Sequence, residues 1–430
     1  MEKPHRIIDS FRFRIILCLA PMLLLIFMGI PAIAAEHQVV LIAGGDVAWS
    51  LYKRPPSVLY HIVDPAPFGQ LLDVRDQQVD DWGPVPYLNE GESKAYVESL
   101  SVKQRKMSAT RFMIDPNFSS EEALRQLAPT LHAADLVYFN LETPLSDNAR
   151  MDGMNRTPEK FAATLRSVGI SLVSVANNHT FDAEGQGFLD TLRALSSAGV
   201  SYIGGGDDLT EARKPVILER NGIKVGFLGY AQFSNMGEAA FAAKGRPGIA
   251  PMDPFVITED IRRLRPQVDY VVVALHWATA KSANVSPANR KFAHDLIDDG
   301  ADIILGGHPP YPKGIEVYHG KVIIYSPGVT LRGFNHTDWG NNYLVRFTLG
   351  VKSVEKVEVL PIAGTGKQIA QPSLLQGPPA QQLLEGVRSR CAGLDTVMKI
   401  NGDEGIISVP PPKNSDVTTS SNGLIAVPTN

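Results

Sequence analysis

Short runs of residues that are apolar throughout recur along this chain, and stretches of helical spacing separate them. The runs lie at 39–43, 136–139, 172–175, 225–228, 270–275, 303–305, 322–325, 343–348 and 354–360. A strand with no polar face must be covered on both sides. Between these runs, residues 121–131, 158–168, 187–198, 254–264 and 287–298 repeat apolar side chains every three or four positions, the period of a helix buried along one face. A β-α-β-α order of this kind requires an α/β layered core. At 430 residues, 44% hydrophobic and 20% charged, the chain can bury such a core, which excludes a disordered or collagen-like polypeptide.

The ends and one internal stretch break the pattern. Lys3, Arg6, Arg12 and Arg14 precede an apolar run over 15–30, then Pro31 and Ala32-Ile33-Ala34-Ala35. Basic, apolar and A-x-A segments in that order describe a secretory signal. Residues 1–34 are therefore expected to be a signal peptide cleaved after Ala34. An uncleaved membrane anchor is the other reading, since the run is just short of a spanning helix. Either way the remainder is expected to be secreted, periplasmic or on the extracytoplasmic face of the membrane. Residues 50–118 are polar and proline-rich and read as a large insertion after the first strand. The principal domain is expected over 36–362. Residues 363–430 are expected to hold a helix over 380–397 and a disordered tail. Cys18 and Cys391 are the only cysteines, which excludes a disulfide framework and a cysteine zinc cluster. A net charge of −4 offers no electrostatic footprint for nucleic acid. No GxxxxGK[ST] motif is present for ATP.

Ligands of open α/β sheets bind at the carboxyl ends of the strands. Here those ends are unusually polar: Gly44-Gly45-Asp46, Asn140-Leu141-Glu142, Ala176-Asn177-Asn178-His179, His276-Trp277 and Gly306-Gly307-His308. Each has an ordinary reading alone, as a tight turn, a helix cap or a core histidine. Together they put Asp46, Glu142, Asn178, His276 and His308 on one rim if their strands are parallel. Carboxylate, amide oxygen and imidazole form a ligand set for a divalent metal, with manganese, iron and zinc all compatible.

The same segments carry a resemblance. LIAGGD (41–46), FNLETPLSD (139–147), ANNHTFD (176–182), VALHW (273–277) and GGHPPYPKGIEVYHGK (306–321) resemble the CapA/PgsA family of capsule and poly-γ-glutamate synthesis proteins, within the calcineurin-like metallophosphatase superfamily. The resemblance covers residues 39–361. It implies a metallophosphatase-like four-layer αββα sandwich, with Asp46 as a ligand of a first metal and Glu142 as a bridging carboxylate. Asn178, His276 and His308 would complete a second metal site, and His179 would be the catalytic histidine. Asp182 would orient His179, or else be a first-turn charge favoured by a helix dipole. The chain also departs from the superfamily pattern. The second histidine of the superfamily's GHxH is Pro310; its D-x-H segment reads Asp46-Val47-Ala48, as is usual in the CapA/PgsA family; and that family's asparagine after YSPG is Val329. These departures favour a single ion. His61, His319 and His336 are the other histidines weighed to fill the gap, with nothing in the spacing to choose among them.

Three functions stay open at this level. One is an accessory role in synthesis, export or anchoring of an anionic surface polymer, alongside membrane-embedded synthesis subunits. Another is an extracytoplasmic metal-dependent hydrolase acting on a phosphoester or other substrate. The third is a degenerate module that binds polymer without cutting it.

Overall fold

The apolar runs form strands and sort into two sheets. The computed structural model describes residues 37–48, 122–147, 156–278, 282–332, 340–364 and 371–410, all within the unit His37–Asn430. The expected signal segment 1–34, the expected insertion 50–118 and the tail from 411 lie outside the described residues. Elements are numbered in chain order. In the first sheet β1 (Val39–Ala48), β2 (Leu136–Leu141), β3 (Leu172–Ser174) and β4 (Ser201–Ile203) run parallel. On the other side of β1 the sheet continues antiparallel through β14 (Asn342–Leu349) and β15 (Val354–Ile362). The hairpin β16 (Met398–Asn401) and β17 (Glu404–Ser408) completes that side. Short β13 (Val329–Arg332) pairs parallel with the carboxyl end of β1.

The second sheet runs β11-β12-β10-β9-β7-β6. Its members are β6 (Val216–Arg220), β7 (Ile223–Ala231), β9 (Tyr270–His276), β10 (Ile303–Gly307), β11 (Ile315–Tyr318) and β12 (Lys321–Ile324). It is parallel from β7 to β12. A separate small ladder joins β5 (Gly205–Gly206) to β8 (Gly248–Ile249).

Three apolar clusters show the layering. Successive strand residues point to opposite faces. Thus Leu41, Tyr138 and Leu172 of the first sheet pack with Phe227, Val272 and Ile303 of the second. Their neighbours Ile42, Val137 and Val173 face outward onto α1 (Ala128–His132), α2 (Phe161–Ser167) and α3 (Glu184–Ala198) through Leu131, Leu165 and Phe188. Val271, Val273 and Ile304 face outward onto Ile257 and Leu296. Those two residues belong to α5 (Pro254–Leu264) and α6 (Pro287–Asp298), which follow short α4 (Leu209–Ala212). The layers are helix, sheet, sheet, helix. Each fully buried aliphatic side chain contributes roughly 1.5–3 kcal/mol, so the sheet–sheet face and the two helix–sheet faces all stabilise the fold.

Local sequence explains where elements start. Helices α5 and α6 occupy the expected spans because Asp253 and Ser286 cap them. Asp253 accepts from the Phe255 and Val256 N–H groups, Ser286 accepts from Asn289 N–H, and a proline opens each helix. The expected helix over 121–131 is shorter, with only Ala128–His132 helical. Pro129 cannot donate, and its ring opposes the carbonyl of Arg125, so a helix cannot continue through it. Tight turns such as Leu127 N–H to Leu124 O fill the preceding segment.

The carboxyl-terminal region also differs from expectation. Helix α7 (Pro378–Ala392) stops short of 397, and the β16–β17 hairpin follows. Met398 and Ile407 lie in the core between the sheets. Gly402-Asp403 between two short apolar stretches is a hairpin signal, with Asn401 paired to Glu404 and Gly402 at φ +58°. The assignment of this region as helix and disordered tail overran it.

Close backbone packing at the end of β1 sets a stability test. A Cβ at Gly45 would lie 1.7 Å from the Gly328 carbonyl oxygen. We expect Gly45→Ala to lose about 1–3 kcal/mol or more in a denaturant titration. Gly185, exposed in α3 with nothing within 4 Å of where a methyl group would stand, serves as control. Gly185→Ala should not destabilise, and should gain up to about 1 kcal/mol from helix propensity and a less flexible unfolded chain.

Candidate metal centre

Parallel pairing brings the carboxyl ends of neighbouring strands level. Asp46 on β1 is in register with Asn140 on β2, and His276 on β9 with Gly307 on β10. Glu142, Asn178, His179 and His308 follow shortly after β2, β3 and β10. The rim is shared between the sheets, since β1–β3 belong to one and β9–β10 to the other. Side chains close the gap. His276 Nε2 lies 2.6 Å from Asn178 Oδ1 and 3.6 Å from Glu142 Oε1, and its Nδ1 lies 3.3 Å from Asn140 Nδ2. The Nε2–H tautomer meets both amide contacts; ligation through Nε2 would place that proton on Nδ1 instead.

Glu142, His276 and His308 each offer a ligand atom, all within 4.8 Å of one another. His308 is held in the left-handed region at φ +86°, although Pro309 follows and favours extended backbone. Its imidazole packs edge-on against Phe233 at 4.7 Å and beside His276 at 5.0 Å between ring centres. His308 Nδ1 is buried with no hydrogen-bond partner. A buried donor or acceptor left unsatisfied is costly, and a cation satisfies an imidazole nitrogen. Burial, reinforced by the nearby His179 and Arg332, lowers the His308 pKa to about 3. Burial likewise holds His276 well below the ordinary histidine range. Both rings are therefore neutral at physiological pH, the form that binds metal. Asn178 Oδ1 is held toward the cluster because its amide nitrogen donates to Asn235 Oδ1 at 3.0 Å. These residues fit one divalent cation.

Asp46 sits beside them, almost fully buried. It accepts from Asn140 Nδ2 at 2.7 Å and from the backbone N–H of His308. Burial first, and then the charge of Glu142, raises its pKa to about 8. Gly307 lets it approach, since a Cβ there would lie 3.3 Å from Asp46 Oδ1.

On the other side of Asn178, His179 Nδ1 lies 2.6 Å from Asp182 Oδ2. Burial alone would lower the His179 pKa, but the charge and hydrogen bond of Asp182 outweigh it and raise it. Asn177 builds this loop. Its Oδ1 accepts from His179 N–H, and its amide nitrogen donates to Asn140 Oδ1 and Leu141 O.

The structure thus gathers all seven candidates, Asp46, Glu142, Asn178, His179, Asp182, His276 and His308. Sequence reading missed three neighbours. Asn140 links Asp46, Asn177 and His276. Asn235 bonds Asn178 and lies 3.2 Å from His179 Nδ1. It follows the carboxyl end of β7, so the strand-end rule would have found it. Arg332 pairs with Glu142 Oε2, and no local pattern announces it. Pro310 and Ala48 are buried at the positions where the superfamily pattern has histidines, and neither side chain can ligate. His319 sits in the β11–β12 turn against Asp298 and Tyr318, away from these residues. His61 and His336 lie outside the described residues.

A family profile described as "Bacterial capsule synthesis protein PGA_cap" matches residues 93–331. The PGA biosynthesis protein CapA of Bacillus subtilis is 30% identical over 249 residues, covering 56% of this chain and 65% of that protein. The capsule biosynthesis protein CapA of Bacillus anthracis is 28% identical over 256 residues, covering 57% of this chain and 62% of that protein. The match spans less than two thirds of the length of either relative. Among solved structures, the calcineurin-like phosphoesterase YfkN of Bacillus subtilis aligns over 84% of this chain and 98% of its own at TM-score 0.36 and 12% identity.

The Asp46 carboxyl makes cation uptake proton-coupled. Its pKa of about 8 means that the metal-free protein holds a proton there at pH 6–7, and a cation alongside expels it. The neutral imidazoles release none in this range. Manganese affinity should therefore rise with pH, by at most about tenfold per unit, and level off above about pH 8. Calorimetry in two buffers of different ionisation enthalpy should show close to one proton released at pH 6.5. A pH-independent affinity with no proton released would refute this.

Proposed function

The chain belongs to the family of bacterial capsule synthesis proteins described as PGA_cap, and from that premise we propose that it is an exported protein acting on an anionic surface polymer of the poly-γ-glutamate kind, through a metal-dependent hydrolytic site. The observation that carries the reading is the convergence of Glu142, His276 and His308 within 4.8 Å beside the His179–Asp182 pair. The basic, apolar and A-x-A segments of residues 1–34 support export. The relatives named for capsule and PGA biosynthesis support the polymer. With no nucleotide motif, any energy-requiring ligase step would fall to membrane-embedded partner subunits.

A divalent cation held by Glu142, His276, His308 and Asn178 would supply Lewis acidity and bring a bound water's pKa toward about 7. The chain's own residues do the rest. Asp182 holds Nδ1 of His179, so Nε2 is the nitrogen left for proton transfer. The raised His179 pKa keeps a proton available there for a departing oxygen or nitrogen. Asn235 holds Asn178 in place, and Phe233 shields His308 from water. Whether the bond cut is a phosphoester or an amide of the polymer depends on the groups that line the approach to this rim.

A second reading is a module that binds polymer without cutting it. Pro310 and the Arg332 contact on Glu142 favour it, because both subtract from a two-metal ligand set. Metal content and turnover separate the two. We expect near-stoichiometric metal in the wild-type protein and none in Glu142→Ala. In γ-glutamyl and phosphoester substrate screens, His179→Ala should retain metal and lose about 10²–10⁴-fold in turnover. Unchanged turnover in that variant sinks the mechanism. Polymer binding with no turnover by the wild type establishes the second reading.

A further inference from the structure

We propose that the guanidinium of Arg332 stands where a second cation would otherwise sit, so that the chain holds one divalent ion and compensates the remaining carboxylate charge with its own side chain. This rests on the reading of Glu142, His276 and His308 as a metal site.

Three observations carry it. The first is position. β13 runs parallel to β1 with Ala48 opposite Arg332, after a register shift between Asp46 and Val47. Asp46 and Ala48 are two apart on β1 and share a face. Arg332 therefore enters beside the residue that, in the D-x-H pattern, would be an imidazole. The second is the division of Glu142. Its Oε1 faces His276 at 3.6 Å, while its Oε2 is taken by Arg332 in an ion pair whose side chains are 18% and 3% exposed. A bridging carboxylate would give that second oxygen to a metal. The third is ligand supply. On the Asp46 side, Ala48 and Pro310 offer no donor atom. The charge of Glu142 and its hydrogen bond hold Arg332 protonated despite its burial. A divalent ion placed between Asp46 and Glu142 Oε2 would therefore stand against a fixed positive charge, with little solvent to screen it.

Manganese titration of the full-length protein, read by elemental analysis and electron paramagnetic resonance, tests this without any activity. Wild type should saturate at one ion per chain with an uncoupled manganese signal. Arg332→Ala, and Arg332→Gln as a less disruptive second variant, should admit a second, weaker ion and show spin coupling between the pair. Two ions in the wild type would overturn the proposal while leaving the metal-site reading intact. So would a stoichiometry of one at saturating manganese in whichever of the two variants folds. No ion in wild type or variants would remove the metal-site reading, and this proposal with it.

Discussion

The apolar contact between the inner faces of the two sheets holds the rim together, because the candidate ligands are divided across it. Asp46, Glu142 and Asn178 come from the first sheet, and His276 and His308 from the second. Tyr138, Leu172, Phe227, Val272 and Ile303 fill the space beneath them. Slippage of one strand by a residue within its sheet would exchange that strand's buried and outward faces, and a shift of one sheet over the other would separate His276 from Asn178 and Glu142. Precision at the site is therefore inherited from a dry interface rather than from the loops that carry the polar groups. The glycines at the strand ends serve the same closeness: Gly45 against the Gly328 carbonyl leaves no room for a side chain, and Gly307 leaves only a tight fit against Asp46.

Compensation of buried charge distinguishes this rim from the rest of the molecule. Asp260 is satisfied by Arg213 and Tyr230. Asp302 is met by Arg265 and Lys321, and Glu316 by Arg290, His294 and Tyr325. Those acids are locked into networks that stabilise packing. At the rim the compensation is incomplete. Asp46 is driven toward its protonated form, two imidazoles are driven toward neutrality, and one imidazole nitrogen has no partner. A cluster of groups whose burial favours their uncharged forms is poorly stabilised by itself and well suited to receive an external positive charge. At this rim, unlike at Asp260, Asp302 and Glu316, buried charge is left under-compensated.

At positions 48 and 310 stand residues whose side chains offer no donor atom, and an arginine approaches from β13. Glu142 thus meets a guanidinium through one oxygen and an imidazole through the other. The imidazole side, with Asn178 and the His179–Asp182 pair, is complete.

By itself the sequence determined the layered α/β class, most strand and helix positions and the polar residues at the strand ends. Those follow from periodicity, capping and turn chemistry, which act over a few residues. Asp46, Glu142, Asn178, His276 and His308 were legible because each closely follows a buried apolar run. The helix over 121–131 failed on a single proline, and the β16–β17 hairpin was missed because the residues after the helix were read as a disordered tail. What only the tertiary structure decided is which ends meet. That β1–β3 and β9–β10 belong to different sheets, that Asn235 supports Asn178 and that Arg332 crosses to Glu142 from 190 residues away are consequences of packing between distant segments. No local pattern encodes them, because their stabilisation arises only once the two sheets close on a common apolar face.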